Sequence, residues 1–463
     1  RGGCWTPRPA GGELARDWNP PTPAPARTRR GFLKRSSLLT AGALAAPYVK
    51  IAPRAFAVND GTLKVGLVGC GGRGTGAASQ SLGTENNIVL HAMGDVFEDR
   101  LKGSLEALKK EHSERVMVTP DTSFIGFDAV DKVIASGVDI VILTTPPGFR
   151  PYHIRKCIEA GKHVFSEKPM ATDAPGVRMV LEAAARAKEK KLALVAGFCW
   201  RYNGAERQIM QRIHDGQIGE PMALQNTYNT GSLWVNPRRP EWNDMTYQLR
   251  NWYYYTWLSG DHIVEQAVHS IDKMQWAMKD AIPVKCVAHG GRQVRTAPEF
   301  GHIFDHFSVV YEYETGARGY HYCRQQAGAA VDNSDYFIGT KGVAIIKAFG
   351  PLVITGENPW RLRSREGVAN MYQVEHDEMV ASIRRGRPIN DGEWMARSTM
   401  DGIMGRMAGY TGKEITWEQA LNSEEDLARW VTNQEAVPGD PRFDWNLPLR
   451  VPPVAMPGQT PFV

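Results

Sequence analysis

The segment VGCGGRGTG, Val68 to Gly76, sets Gly69, Gly71 and Gly74 in a G-x-G-x-x-G spacing directly behind the apolar run LKVGLV. A backbone that must turn this tightly tolerates few side chains, so the spacing predicts a strand, a sharp turn and a helix. With no Cβ in the way, a pyrophosphate can approach the backbone and rest at the helix N-terminus. Asp95 stands 21 residues beyond Gly74, at the end of a second apolar run, where a carboxylate can accept from ribose hydroxyls. With Gly72 and Arg73 inside the loop, the constellation predicts a dinucleotide cradle. Asp95 favours NAD, while Arg73 and Arg100 leave NADP possible by offering cations to a 2′-phosphate.

The cradle opens a regular alternation. LKVGLVG, IVLHAMGD, VDIVILTT, KHVFSE and LALVAGF read as strands, and between them FEDRLKGSLEALKKEH, residues 127–135, PYHIRKCIEAG and APGVRMVLEAAARAKEKK read as helices. Strand then helix, repeated, predicts a doubly wound parallel sheet over residues 58–197. From Pro221 the texture changes: MALQNTYN, VKCVAHGG, HFSVVYEYETGARGYHYCRQQ and YFIGTKGVAIIKA are strands joined at the turns ETGA and GTKG. Residues 198–463 therefore form a second α/β domain around an open, mainly antiparallel sheet, with helices expected near 260–278 and 373–384 flanking it.

The formal charge of +5 misleads, because residues 1–57 hold ten Lys/Arg against two Asp/Glu, leaving 45 basic and 48 acidic residues beyond. Without that segment no electrostatic case for nucleic acid remains. The segment itself sets TRRGFLK before the apolar run Leu38 to Ala46 and the triplet Ala55, Phe56, Ala57, which reads as a twin-arginine export signal cleaved after Ala57. Pro47, Lys50 and Pro53 break the run well short of the roughly twenty residues a membrane span needs. A periplasmic destination follows, with no stable membrane insertion. The six cysteines form no CxxC pair and predict no disulfide framework.

SEKPM, Ser166 to Met170, follows the fifth apparent strand, at the edge where doubly wound sheets bind ligands. A lysine there can reach the oxygen of a carbon being oxidised or reduced, and the proline after it pushes Lys168 toward extended backbone. Further on, His262, Glu265 and His269 fall at i, i+3 and i+7, one face of a helix. A neutral imidazole among them can accept a hydroxyl proton while hydride leaves the same carbon. Two histidines and a glutamate are also metal-ligand types, but the spacing matches none of the common zinc signatures, and no metal is expected. HIFDH, His302 to His306, reads as ordinary sheet surface. Arg201 and Tyr202 in FCWRYN are candidate substrate contacts. The aromatic run NWYYYTW, Asn251 to Trp257, suits sugar faces, core packing or an oligomer interface alike.

VGCGGRG, TTPP at Thr144 to Pro147, AGKHVFSEKP and GDHIVEQAVHSID together resemble the glucose-fructose oxidoreductase, inositol dehydrogenase and MocA family of NAD(P)-dependent oxidoreductases, over nearly all of residues 62–450. The resemblance implies a Rossmann domain, then an open-sheet domain, in a homodimer or homotetramer. It makes Lys168 the active-site lysine and His269 the catalytic histidine, and lays Glu167, Thr144, Thr145, Pro146 and Pro147 along the cofactor. The family usually has Asp where this chain has Glu265, which leaves the preferred sugar open. Asp272 matches a later family aspartate that orients the helix or the histidine. The expected function is an exported oxidoreductase holding NAD(H) tightly and working on sugars or polyols. An NAD-dependent glycosidase using transient oxidation and elimination, and a non-catalytic sugar or nucleotide sensor, are the alternatives.

Overall fold

The computed structural model describes residues 61–84, 87–348, 350–365, 367–428, 445–446, 449 and 451–463. The export signal read over residues 1–57 lies outside them, as does Cys4. The other five cysteines are free and buried. Among the described residues no helix is long and apolar enough to cross a membrane.

Six strands, β1 (Leu63–Val68), β2 (Ile88–Asp95), β3 (Ser123–Ile125), β4 (Ile140–Leu143), β5 (His163–Glu167) and β6 (Leu194–Gly197), form one sheet in the order β3-β2-β1-β4-β5-β6. Every pairing in it is parallel. Helices α1 (Gly72–Gly83), α2 (Glu98–Glu111), α3 (Ala129–Ala135), α4 (Arg150–Glu159) and α5 (Ala174–Glu189) make the crossovers. This is the doubly wound order, in which the succession of strands runs outward one way from β1 and the other way from β4, opening a crevice between them. The strands read as apolar runs because both faces are covered: β4 and β6 are buried at every residue.

The second sheet has nine strands in the order β14-β13-β12-β11-β7-β10-β9-β8-β15. They are β7 (Pro221–Thr230), β8 (Lys285–Gly291), β9 (His306–Glu312), β10 (Arg318–Gln325), β11 (Ser334–Gly339), β12 (Gly342–Lys347), β13 (Leu352–Gly356), β14 (Trp360–Arg361) and β15 (Ile415–Thr416). Only β7 and β10 pair in parallel; the rest is antiparallel. Along β9, buried and half-buried residues alternate strictly, as in a sheet with one covered face. Over β7, β10 and β11 the cover comes from α10 (Val268–Ala277), one of the helices that follow α6 (Gly204–His214), α7 (Asp244–Arg250), α8 (Thr256–Ser259) and α9 (His262–Glu265); β8 and β9 are covered by a later helix.

Two C-terminal helices depart from expectation. The first, α11 (Met371–Arg384), flanks the parallel sheet: Met379 and Val380 join the core formed by β1, β2 and α1, and Gln373 Nε2 donates to Gln80 O at 2.9 Å. The last parallel strand leaves one face uncovered, and α11 fills it. The other, α12 (Gly392–Thr411), lies between α5 and strands β8 and β9. It is buried on nearly every side, so it carries no apolar stripe. Its glycines permit the approach: a Cβ on Gly409 would sit 2.9 Å from the Phe307 ring. Beyond it, among the described residues, α13 (Trp417–Asn422) is the one further helix.

Candidate active site

A cavity of about 800 Å³ opens at the β1/β4 switch point and runs to the second sheet. Its floor is the glycine turn. Gly69 has φ +95, and a Cβ there would lie 2.7 Å from the Thr144 carbonyl carbon; a Cβ on Gly74 would lie 1.9 Å from Gly69 O. These two glycines let the turn close on itself and on β4. Gly71 and Gly72 differ: a Cβ on either meets nothing within 4 Å, because both face the open cavity. That is the geometry a pyrophosphate requires, and the N-terminus of α1 lies directly behind it. Thr144 Oγ1 donates to Gly69 O at 2.5 Å and ties β4 to the turn.

Asp95 lines the same cavity and is held in place by the backbone, accepting from Cys70 N at 2.6 Å and Phe97 N at 2.8 Å. Burial raises its carboxyl above the ordinary range, against those two bonds. Acceptor capacity remains for ribose hydroxyls. Arg73, offered above to a 2′-phosphate, is committed elsewhere: its Nε donates to Glu167 Oε1 at 2.5 Å and its Nη1 to Gln80 Oε1 at 2.7 Å. Arg100 lines the cavity and is exposed. Thr145 and Pro146 line the wall beside Thr144, whereas Pro147 turns away into a short helical turn buried behind it.

At the far end stand Lys168, Glu265 and His269. Lys168 Nζ donates to the Glu265 backbone carbonyl and, at 3.0 Å, to Glu265 Oε1. The Lys168–Pro169 peptide is cis. Arg150 fixes the turn from below through Nη1 and Pro169 O at 2.6 Å; burial lowers its guanidinium to about 10. Burial, and then the charges of Lys168, Lys273 and Arg73, hold the His269 imidazole well below its usual range, so the ring is neutral near pH 7. Its Nδ1 has no hydrogen-bond partner among the described residues.

Four site candidates, Arg201 and Tyr202 from FCWRYN and His262 and Asp272 from the GDHIVEQAVHSID run, do not line this cavity. The single helix read through His262, Glu265 and His269 breaks between α9 and α10, where Gln266 has φ −106 and Ala267 N bonds back to His262 O at 3.1 Å. The common face is lost. His262 instead turns inward, with Nδ1 2.8 Å from Asp261 Oδ1 and its ring against Phe307. Arg201 is spent on Asp272, at 2.8 Å, and on Asp280, at 2.7 Å, with Trp394 over its guanidinium. Asp272 also accepts from Ser398 Oγ at 2.7 Å. Tyr202 donates to Asp391 Oδ2 at 2.6 Å inside the core. These groups brace the start of α6, α10 and α12 around His269. HIFDH is a further correction, since His302 is buried against Thr256 at 2.8 Å.

The cavity has walls that the motifs did not announce. Trp252 lines it, while Tyr253, Tyr254, Tyr255 and Trp257 pack into a separate core. Trp234, from the irregular segment before α7, stands 6.0 Å from Trp252, ring to ring. Arg250 crosses to the parallel-sheet half, forking onto Asp99 at 2.6 and 2.8 Å with its guanidinium 3.8 Å over the Phe97 ring. Among the described residues no group of three His, Cys, Asp or Glu is arranged to hold a metal ion.

Comparison with known proteins places this geometry. A model of an oxidoreductase family with an NAD-binding Rossmann fold, GFO/IDH/MocA, matches residues 63–198, and the GFO/IDH/MocA C-terminal domain matches residues 207–345. The chain is 31% identical over 188 residues to inositol 2-dehydrogenase 3 of Saccharopolyspora erythraea, covering 41% of this chain and 48% of that protein. It is 24% identical over 375 residues to the myo-inositol 2-dehydrogenase of Thermotoga maritima, covering 79% of this chain and 99% of that one. Among solved structures, the aldose-aldose oxidoreductase of Caulobacter crescentus complexed with glycerol shares the fold, with a TM-score of 0.61 at 18% identity over 77% of this chain and 99% of that one.

Proposed function

The chain belongs to the GFO/IDH/MocA oxidoreductase family and is an NAD-dependent oxidoreductase, and we propose that it oxidises a hydroxyl carbon of a cyclic polyol or sugar with NAD held tightly in the cleft. One observation carries this reading: Lys168, Glu265 and His269 share a single cavity with the glycine cradle. His269, kept neutral, accepts the hydroxyl proton through a ring nitrogen. Lys168, anchored by Glu265, donates to the same oxygen and steadies the charge that develops on it. Bound NAD supplies the hydride acceptor. Trp234 and Trp252 offer apolar faces to a ring substrate.

The substrate class is supported by the relatives named for inositol oxidation. Tight retention is supported by the Arg250 fork, which spans the cleft beside Phe97 at the Asp95 end. The committed Arg73 favours NAD over NADP. The export signal read in residues 1–57 adds a reason for retention, since the periplasm offers no obvious nicotinamide pool. In that setting two substrates would be processed in turn, the first oxidised and the second reduced. The test is protein purified without added nucleotide, denatured, with the supernatant assayed for NAD(H) and NADP(H). Stoichiometric NAD(H) is expected; an empty protein that binds NAD only weakly would overturn tight retention.

A further inference from the structure

Gln266, at the break between α9 and α10, lines the cavity beside Glu265 and is only half-buried. Its Oε1 accepts from Gln325 Nε2 at 2.6 Å, and the same Nε2 donates to Tyr253 OH at 2.8 Å. Gln325 Oε1 in turn accepts from Arg295 Nη2. Arg295 is buried and anchored by its Nη1 on Phe304 O at 2.8 Å and by its backbone N on Asp305 Oδ2 at 3.1 Å.

The polarity of this chain is forced. A guanidinium has donors and no acceptor, so Gln325 must turn its oxygen to Arg295 and its NH₂ to Gln266. Gln266 must answer with its oxygen, which leaves its own NH₂ as the cavity-facing group. That NH₂ has no partner among the described residues. An amide in the cleft would ordinarily be free to present either end; here an arginine two residues removed has chosen the donor.

We propose that Gln266 is a substrate-binding residue that donates to an acceptor oxygen of the polyol or sugar ring, and that Gln325 and Arg295 are positioning residues that fix its polarity. The inference rests on the reading of the cleft as a polyol or sugar site. The site consequently selects for an oxygen at that position, because a substrate lacking it leaves a desolvated donor unpaired.

The test uses the NAD-loaded enzyme with myo-inositol and D-glucose as probes, read by steady-state kinetics and by quenching of tryptophan fluorescence. Q266L removes the donor. Q325E keeps a partner for Arg295 yet accepts at both ends, so Gln266 must turn over and present its oxygen. Each change is expected to raise KM about tenfold with kcat within about threefold, the size of one lost hydrogen bond. The double variant should be no worse than Q266L alone, since without the amide there is nothing to turn. Quenching should weaken in parallel. An unchanged KM and titration in Q266L, a fall in kcat instead, or Q325E adding fully to Q266L would each overturn the proposal. Wild-type enzyme that neither oxidises nor binds either probe removes the polyol reading and this inference with it, whereas active wild type beside an unaffected Q266L removes this inference alone.

Discussion

The two halves of the cleft are built on different terms. On the parallel-sheet side the contacts are backbone: Gly71 and Gly72 leave space, Gly69 and Gly74 let the turn close, and Asp95 is pinned by two main-chain N–H groups. On the other side they are side chains delivered by the broken helix α9–α10, the segment holding Trp234, Arg250 and Trp252, and a buried amide chain, brought together from distant parts of the sequence. Backbone sites tolerate substitution poorly but announce themselves; side-chain sites are tunable and hidden.

The comparison breaks first at the reacting centre. Replacing Lys168 or His269 with Ala should lower kcat by about 10²–10⁴ while bound NAD is retained, checked by turnover and by nucleotide content after purification. Near-wild-type turnover in either variant would remove that residue from the chemistry.

Arg201 sharpens the division inside the second half. Its removal leaves Asp272 buried and unpaired, so R201A should lose about 3–5 kcal/mol of stability in denaturant unfolding while KM stays unchanged in folded protein. A raised KM at unchanged stability would return Arg201 to the substrate. The glycines test the first half. G74A should cost about 1–3 kcal/mol, because its Cβ collides with Gly69 O. G72A should fold normally and lose NAD affinity by calorimetric titration, because its Cβ enters only the cradle.

The smallest effect per group concerns both halves together. Burial lowers His153, His321 and His376 to about 3 and His302 to about 4. The unfolded chain therefore binds protons near pH 6.5 that the folded chain refuses, and stability falls as pH drops below that value. Each group should cost about 1 kcal/mol at pH 6. Because His153 and His376 pack on the parallel sheet and His302 and His321 on the other side, thermal unfolding should remain one transition that moves down between pH 7.5 and 6. Two separating transitions would show halves of unequal acid sensitivity.

Much of the first half was legible because its signals are local. A glycine spacing, a carboxylate at a fixed interval and apolar strands of regular length need no knowledge of what lies across the sheet. Lys168 was legible for the same reason, standing one residue past a strand. The misplacements have a common cause, which is long-range partnership. His262, Glu265 and His269 share a face only if the helix is continuous, and Asp261, at φ +76 with Phe304 N and Tyr410 OH on its carboxylate, redirects the chain just before it. Arg201 looked available because Asp272 lies 71 residues away. Helix α12 has no apolar stripe because it is buried all round, and α11 crosses to the parallel sheet because that sheet lacks a cover. Gln266 stands inside the run GDHIVEQAVHSID, yet nothing in that run sets it apart; its role emerges only with Gln325 and Arg295 beside it.

The most direct measurement is a spectrum of enzyme purified without nucleotide supplements, recorded at 340 nm as myo-inositol or D-glucose is added and then a ketone or aldehyde acceptor, with the ultrafiltrate assayed for nucleotide. The account predicts absorbance that rises with the first addition, falls with the second, and leaves the filtrate empty. No change with any polyol or sugar, or nucleotide appearing in the filtrate at each turnover, would contradict it.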